Sequence, residues 1–159
     1  MAKTLIVYHT QTGNTQKMAF ALAEGAKKVK GMEVVVKNVD QATNEDLLSA
    51  DGIIVGSPTY YGLMSGKIKT FFDRSVEIHG KLEGKVAAAF TSSGGTASGA
   101  ETTLLSILKT MLIHGMIVQG RHDDKHYGAA AVGKPTEKEI EMCKKLGKRT
   151  AELVLKVRG

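Results

Sequence analysis

The chain has 159 residues, 42% of them hydrophobic, and 22 lysines and arginines against 16 acidic residues give a net charge of +6. That length suits one domain over residues 1–159, no apolar run approaches the ~20 residues of a membrane helix, and the single cysteine, Cys143, excludes an internal disulfide. The basic residues are dispersed, with no run of five or six and no aromatic interleaving, so nucleic acid is not an expected partner. Met1-Ala2-Lys3 leads straight into an apolar strand pattern without the apolar core of a signal peptide, and a cytoplasmic location is expected.

In chain order, Leu5–Tyr8 reads as a first strand and Asn14 opens a helix with Met18, Leu22, Ala26 and Val29 at helical spacing. Val34-Val35-Val36 is a second strand and Gly52–Gly56 a third. A shorter helix follows, with Ile68, Phe71, Phe72 and Val76 expected on one face. Val86–Phe90 is a fourth strand. The stretch from Glu101 to Ile113 reads as a helix with Leu104, Leu108, Met111 and Leu112 inward, and Met116-Ile117-Val118 as a fifth strand. Residues 120–134 fit neither periodicity and are expected to form a long surface loop. Thr136-Glu137-Lys138-Glu139 is a capping-box pattern, and it opens a last helix whose inner face would carry Cys143, Leu146, Thr150, Leu153 and Val157.

Strands that are apolar on both faces and alternate with helices imply a parallel sheet covered on both sides. Right-handed crossovers with one reversal of strand order give an α/β, doubly wound five-stranded sheet of order 2-1-3-4-5. In such folds a ligand sits beyond the carboxyl ends of the strands, where the order reverses. Three loops then meet. Thr10, Gln11, Thr12, Gly13, Asn14 and Thr15 follow strand one and open a helix, whose free amides and dipole favour a phosphate. The loop lacks the lysine of a GxxxxGK[ST] motif and is not GxGxxG. Ser57, Pro58, Thr59, Tyr60, Tyr61 and Gly62 follow strand three, and the tyrosines could stack on a flat ring. Ser92, Ser93, Gly94, Gly95 and Thr96 follow strand four with hydroxyls and free amides. Together the loops suit a ligand with a phosphate, a polyol chain and a large ring.

Thr-x-Thr-Gly-x-Thr after the first strand resembles the FMN-phosphate loop of flavodoxins. Ser57–Met64, Gly84–Gly94, Glu101–Leu104, His114–Val118 and Tyr127–Ala129 resemble the flavodoxin-like NAD(P)H:quinone oxidoreductases of the tryptophan-repressor-binding-protein type. The resemblance implies a flavodoxin-like fold and one FMN: Thr10–Thr15 on its phosphate, Ser57–Gly62 along its ribityl chain and ring, and Ser92–Thr96 on the pyrimidine side. It implies no catalytic acid, base or nucleophile from the protein, since the flavin carries the chemistry.

The chain departs from the quinone reductases in having no tryptophan, in Thr12-Gly13 where they tend to show Tyr-Gly, and in Ile113 where they carry the first histidine of His-His-Gly. It departs from typical acidic flavodoxins in being basic, which would steer it towards acidic partners. Two functions are expected to compete: an electron carrier serving a redox partner protein, and an enzyme passing electrons from NAD(P)H to quinones, for which the likeness also implies a homo-oligomer. A phosphoacceptor domain of the same topology is excluded, because the first and third strands end in Tyr8-His9-Thr10 and Val55-Gly56-Ser57 rather than in acidic residues. His122-Asp123-Asp124-Lys125-His126 places four metal-ligand types in five positions, but with no second cluster it reads as a polar loop. His9, His114 and Cys143 read as structural.

Overall fold

A sheet whose central strands are largely apolar and buried on both faces must be covered on both sides, and the protein meets that demand with two helix layers. The computed structural model describes residues 1–159. Its strands are β1 (Ala2–Tyr8), β2 (Met32–Asn38), β3 (Gly52–Pro58), β4 (Val86–Ser93), β5 (Ile117–Val118) and β6 (Ala129–Val132). Its helices are α1 (Asn14–Lys27), α2 (Asn44–Ser49), α3 (Gly66–Arg74), α4 (Ala100–Ile113) and α5 (Glu137–Arg158). All pairings are parallel, in the order β2-β1-β3-β4-β5. The strand period of two sorts the core. Leu5, Val7, Ile53 and Val55 face a layer that includes Ile68, Phe71, Leu104 and Ile107 from α3 and α4. Ile6, Ile54 and Phe90 face Met18, Leu22, Cys143 and Leu146 from α1 and α5.

The fifth position of the sheet is shared. β5 pairs with the start of β4 (Val86↔Ile117, Ala87↔Val118) and β6 with its end (Phe90↔Ala129 through Ser93↔Val132). The expected order therefore holds, but the expected loop over residues 120–134 contains a strand, and residues 119–128 are an insertion that splits the edge in two.

Other differences have local causes. After Arg74 the α3 backbone tightens into a 3-10 turn over Ser75–Ile78, which shifts the angular spacing. Ser75 and Ile78 turn inward, while Val76 is 70% exposed. On α4 the inner stripe is Leu104, Ile107, Leu108 and Met111, and Leu112 turns outward. On α5 the inner face follows Cys143, Gly147, Thr150, Ala151 and Val154, so Val157 is exposed and Leu153 only half-buried. α1 and α5 cross closely: a Cβ on Gly25 would overlap the Lys144 carbonyl, and one on Gly147 the Leu22 carbonyl. No helix is long and apolar enough to cross a membrane.

Candidate functional site

β1, β3 and β4 run parallel in matching register, so the loops that follow them leave the sheet at the same edge. Side-chain bonds then tie the loops together. The Thr15 hydroxyl lies 2.8 Å from that of Ser92, joining the first turn of α1 to the end of β4. Thr59 Oγ1 lies 2.8 Å from Thr91 Oγ1, and the Thr59 amide donates to the Ser92 carbonyl at 2.8 Å. The Tyr60 phenol donates to Gln11 Oε1 at 2.7 Å, bridging the first and third-strand loops. Thr15, Ser57, Pro58, Ser92 and Ser93 are buried and form the frame, whereas Gln11, Thr12, Tyr61, Gly94 and Thr96 are exposed.

The start of α1 is open. Its N-cap is Gly13 at φ 92°, with no side-chain cap and no acidic residue in the first turn. The Thr10 hydroxyl accepts from the Gly13 amide at 2.9 Å, curling the loop back on itself. A Cβ at Gly13 would meet nothing within 4 Å, so the space above the helix end is free. Uncapped amides at the positive end of a helix are suited to an anion.

Tyr61 and Gly62 form a tight turn with φ 51° and 73°, closed by paired Tyr60–Leu63 backbone bonds of 3.1 and 3.0 Å. Two consecutive positive φ values define a type I′ turn. Tyrosine is a costly residue at the first of them. The turn holds the Tyr61 ring clear of the protein, 105% exposed. An aromatic face presented in this way matches a planar ligand.

Several contributors were not singled out as site residues in the sequence. Ser65 caps α3, accepting from the Ile68 amide at 3.4 Å, and its hydroxyl lies 2.8 Å from His9 Nδ1. The His9 ring meets Tyr60 edge-on with centroids 6.2 Å apart. Burial holds the His9 pKa below its ordinary value, the Lys67 charge adds to this, and Asp40 opposes it. Gly99, at φ 105°, is the uncapped N-cap of α4, and a Cβ there would lie 2.6 Å from Gly62 Cα. The signal for these residues was weak: a serine preceding a helix pattern, and a glycine in a loop already rich in glycine.

Other flagged residues lie away from the loops. His114 is buried, with Nε2 2.8 Å from Ser75 Oγ. That hydroxyl donates to the Phe72 carbonyl at 2.6 Å, so His114 supplies the proton between them. Cys143 is fully buried, and burial followed by the Glu139 charge pushes its thiol pKa up to about 12, an inert setting. In the 119–128 insertion Arg121 grips Asp123 through two bonds of 2.6 and 2.9 Å. No group of three metal-ligating side chains occurs in the protein.

A doubly wound sheet of this order, with a phosphate-type helix start and an exposed aromatic turn at its switch point, defines a flavodoxin-like mononucleotide protein. The profile of the NADPH-dependent FMN reductase family matches residues 37–123. A protein named flavodoxin from Aquifex aeolicus is 48% identical over 162 residues, covering 97% of this chain and 88% of its own. An NAD(P)H dehydrogenase (quinone) from Archaeoglobus fulgidus is 38% identical over 191 residues, covering 99% and 100%. Among solved structures, a flavodoxin, WrbA-like protein from Agrobacterium tumefaciens superposes with a TM-score of 0.84 at 27% identity, covering 98% of this chain and 99% of that one. The chain belongs to this flavodoxin-like FMN protein family, and its cofactor is FMN.

Proposed function

We propose that residues 1–159 form one FMN-binding domain that works as an electron carrier for a redox partner protein. The observation that carries this reading is the pairing of an open helix start at Gly13 with a fully exposed Tyr61 ring on the adjoining loop. One group accepts a phosphate and the other a flat ring, which are the two ends of FMN.

Thr10–Thr15 hold the phosphate through backbone amides and the threonine hydroxyls. Asn14 and Thr15 contribute from the first turn of α1, where the dipole favours a dianion. Ser57, Pro58 and Thr59 shape the wall beside the ribityl chain. The Ser57 hydroxyl, bonded to the Ser65 amide and the Pro58 carbonyl at 2.8 Å each, fixes that wall rather than reaching outward. Tyr60 and Tyr61 flank the ring, and Gly62 completes the turn that presents them. Ser92–Thr96 offer amides to the pyrimidine edge. The Ser93 hydroxyl donates to the Gly95 carbonyl at 3.0 Å, shaping that segment. Bound FMN supplies one- and two-electron redox chemistry, and this chain supplies orientation and electrostatics. None of its own side chains is assigned a proton-transfer or nucleophilic role.

A cytoplasmic location agrees with the buried, unpaired Cys143. The net charge of +6 favours an acidic partner. The second reading is an NAD(P)H-dependent quinone reductase, which would be a homo-oligomer by the same likeness; the relative from A. fulgidus and the matching family profile favour it. FMN-loaded protein mixed with NADH or NADPH and a benzoquinone separates the two by nicotinamide absorbance. Flavin that stays oxidised without turnover is expected of a carrier. Fast multiple turnover would overturn that reading in favour of the reductase.

A further inference from the structure

A cavity of about 340 Å3 lies outside the three loops, between the 119–128 insertion and the outer face of α5. None of its lining residues belongs to the seventeen positions assigned to FMN. Ala129, Met142 and Leu146 give it an apolar floor. Its rim carries Arg121, Lys125, Lys138, Lys145 and Arg149 against the carboxylates of Asp123, Asp124 and Glu141.

Those carboxylates do not neutralise the rim. Of the eight ion pairs in the protein, only Arg121–Asp123 uses a cation of this cavity. Arg149 makes no hydrogen bond or ion pair although it is half-buried, and its pKa is lowered by burial and then by the like charge of Arg121, with the Asp123 charge opposing. A half-buried guanidinium with no ion-pair partner of its own, while the Asp123 carboxylate near it is gripped by Arg121, is an arrangement that an anion would relieve.

The wall opposite α5 is prefolded. Within the insertion, His126 Nδ1 donates to the Arg121 carbonyl at 2.7 Å and the Arg121 amide to the His126 carbonyl at 3.2 Å. Lys125 is held at φ 49°, one of three non-glycine residues with positive φ, and its carbonyl accepts from Gly128 at 3.2 Å. A strained residue in a loop bonded to itself marks a shape maintained at a cost, as ligand clamps often are.

We propose that this cavity is a second ligand site, independent of the flavin site, for a small organic phosphate: an apolar or flat body on the Met142–Leu146 floor and an anionic head on Arg149 and Lys145, one turn apart on α5. The volume falls at the lower end of the range for small-molecule sites, about 300–1,000 Å3. The planar guanidinium of Arg149 favours a phosphate through paired hydrogen bonds.

The test uses FMN-loaded full chain titrated with adenosine 5′-monophosphate, with inorganic phosphate and with adenosine, followed by calorimetry and backbone amide shifts. The nucleotide is expected to bind at one site, with shifts confined to residues 121–129 and 138–149, and phosphate at least tenfold more weakly with the same shifts. Arg149→Gln is expected to weaken nucleotide binding at least tenfold and leave FMN affinity unchanged; Lys145→Gln, at a more exposed position, is expected to weaken it about threefold. Absence of nucleotide binding, shifts centred on Thr10–Thr15, or equal binding by phosphate alone would each overturn the proposal. So would tight binding of adenosine, which would show that the cations play no part. Because FMN retention is measured in the same samples, failure here is distinct from failure of the flavin reading.

Discussion

The five helices start in two different ways. α2, α3 and α5 begin on Thr43, Ser65 and Thr136, each accepting a hydrogen bond from a first-turn amide, and α2 and α5 carry complete capping boxes. α1 and α4 begin on Gly13 and Gly99, both left-handed and both without a side-chain cap. The capped helices satisfy their own ends. The two open helices are those whose N-termini follow β1 and β4 into the candidate site. A side-chain cap stabilises a helix by about 1 kcal/mol, so leaving two ends open forgoes stability where amides are wanted for a ligand.

Closing the open end should have the largest effect. Gly13→Asp places a carboxylate in the space above α1, and FMN affinity is expected to fall at least about 100-fold through like-charge repulsion. Gly13→Asn makes the same backbone demand without the charge and should cost at least tenfold less. Equal losses, measured by fluorescence titration of FMN, would mean that backbone strain and not phosphate electrostatics sets the affinity. Tyr61→Ala comes next. A ring with no protein contact to lose should leave the melting temperature of the FMN-free protein unchanged, while FMN affinity falls about three- to tenfold, from the roughly 0.5–1.5 kcal/mol of aromatic stacking.

On the capped side, Thr136→Ala should remove about 1 kcal/mol of stability, lowering the melting temperature by roughly 2–4 °C with FMN affinity unchanged. A change in affinity would show that the two classes of helix are coupled. The smallest effect is a pH slope. His9 and His114 both have pKa values held below the ordinary histidine value, chiefly by burial. The unfolded chain therefore binds more protons near pH 6.5 than the folded one, and stability should fall as pH is lowered from 7.5 towards 5. Burial raises the Asp46 pKa, but bonds from Lys37 and Thr43 outweigh it, and a bond from Lys144 lowers that of Glu24, so both lie below their usual range and their losses come at lower pH. His114→Asn should flatten the slope between pH 5 and 7.5 in chemical denaturation; an unchanged slope would exclude His114 as a source.

Much of the architecture was legible because its signals are local. β1 to β4 are runs of apolar, mostly β-branched or small residues, and the Thr136–Glu139 box marks α5 within one turn. The six-residue α2 was missed: it buries a single residue, Leu47, and its box closes on Asp46 rather than on a glutamate. β6 was missed because Ala129-Ala130-Ala131-Val132 has little strand propensity of its own, and only its pairing with β4 makes it a strand. Within the candidate site, the three loops were readable by position relative to the strands. Gly13 and Gly99 as open left-handed caps were not, because a glycine in sequence does not state its φ. Nor was the His9–Ser65 contact, which spans 56 residues.

The split fifth position has one more consequence, for how the protein behaves at high concentration. A long, flat strand edge is a template on which other chains can add. Here one side of the sheet offers only pieces of two and four residues, interrupted by the insertion. The opposite side is β2, seven residues without a break, bearing Val34-Val35-Val36 between Glu33 and Lys37. Those flanking charges are engaged with Lys3 and Asp46. Unwanted sheet growth would therefore start at β2, with Glu33 and Lys37 as the residues that guard it.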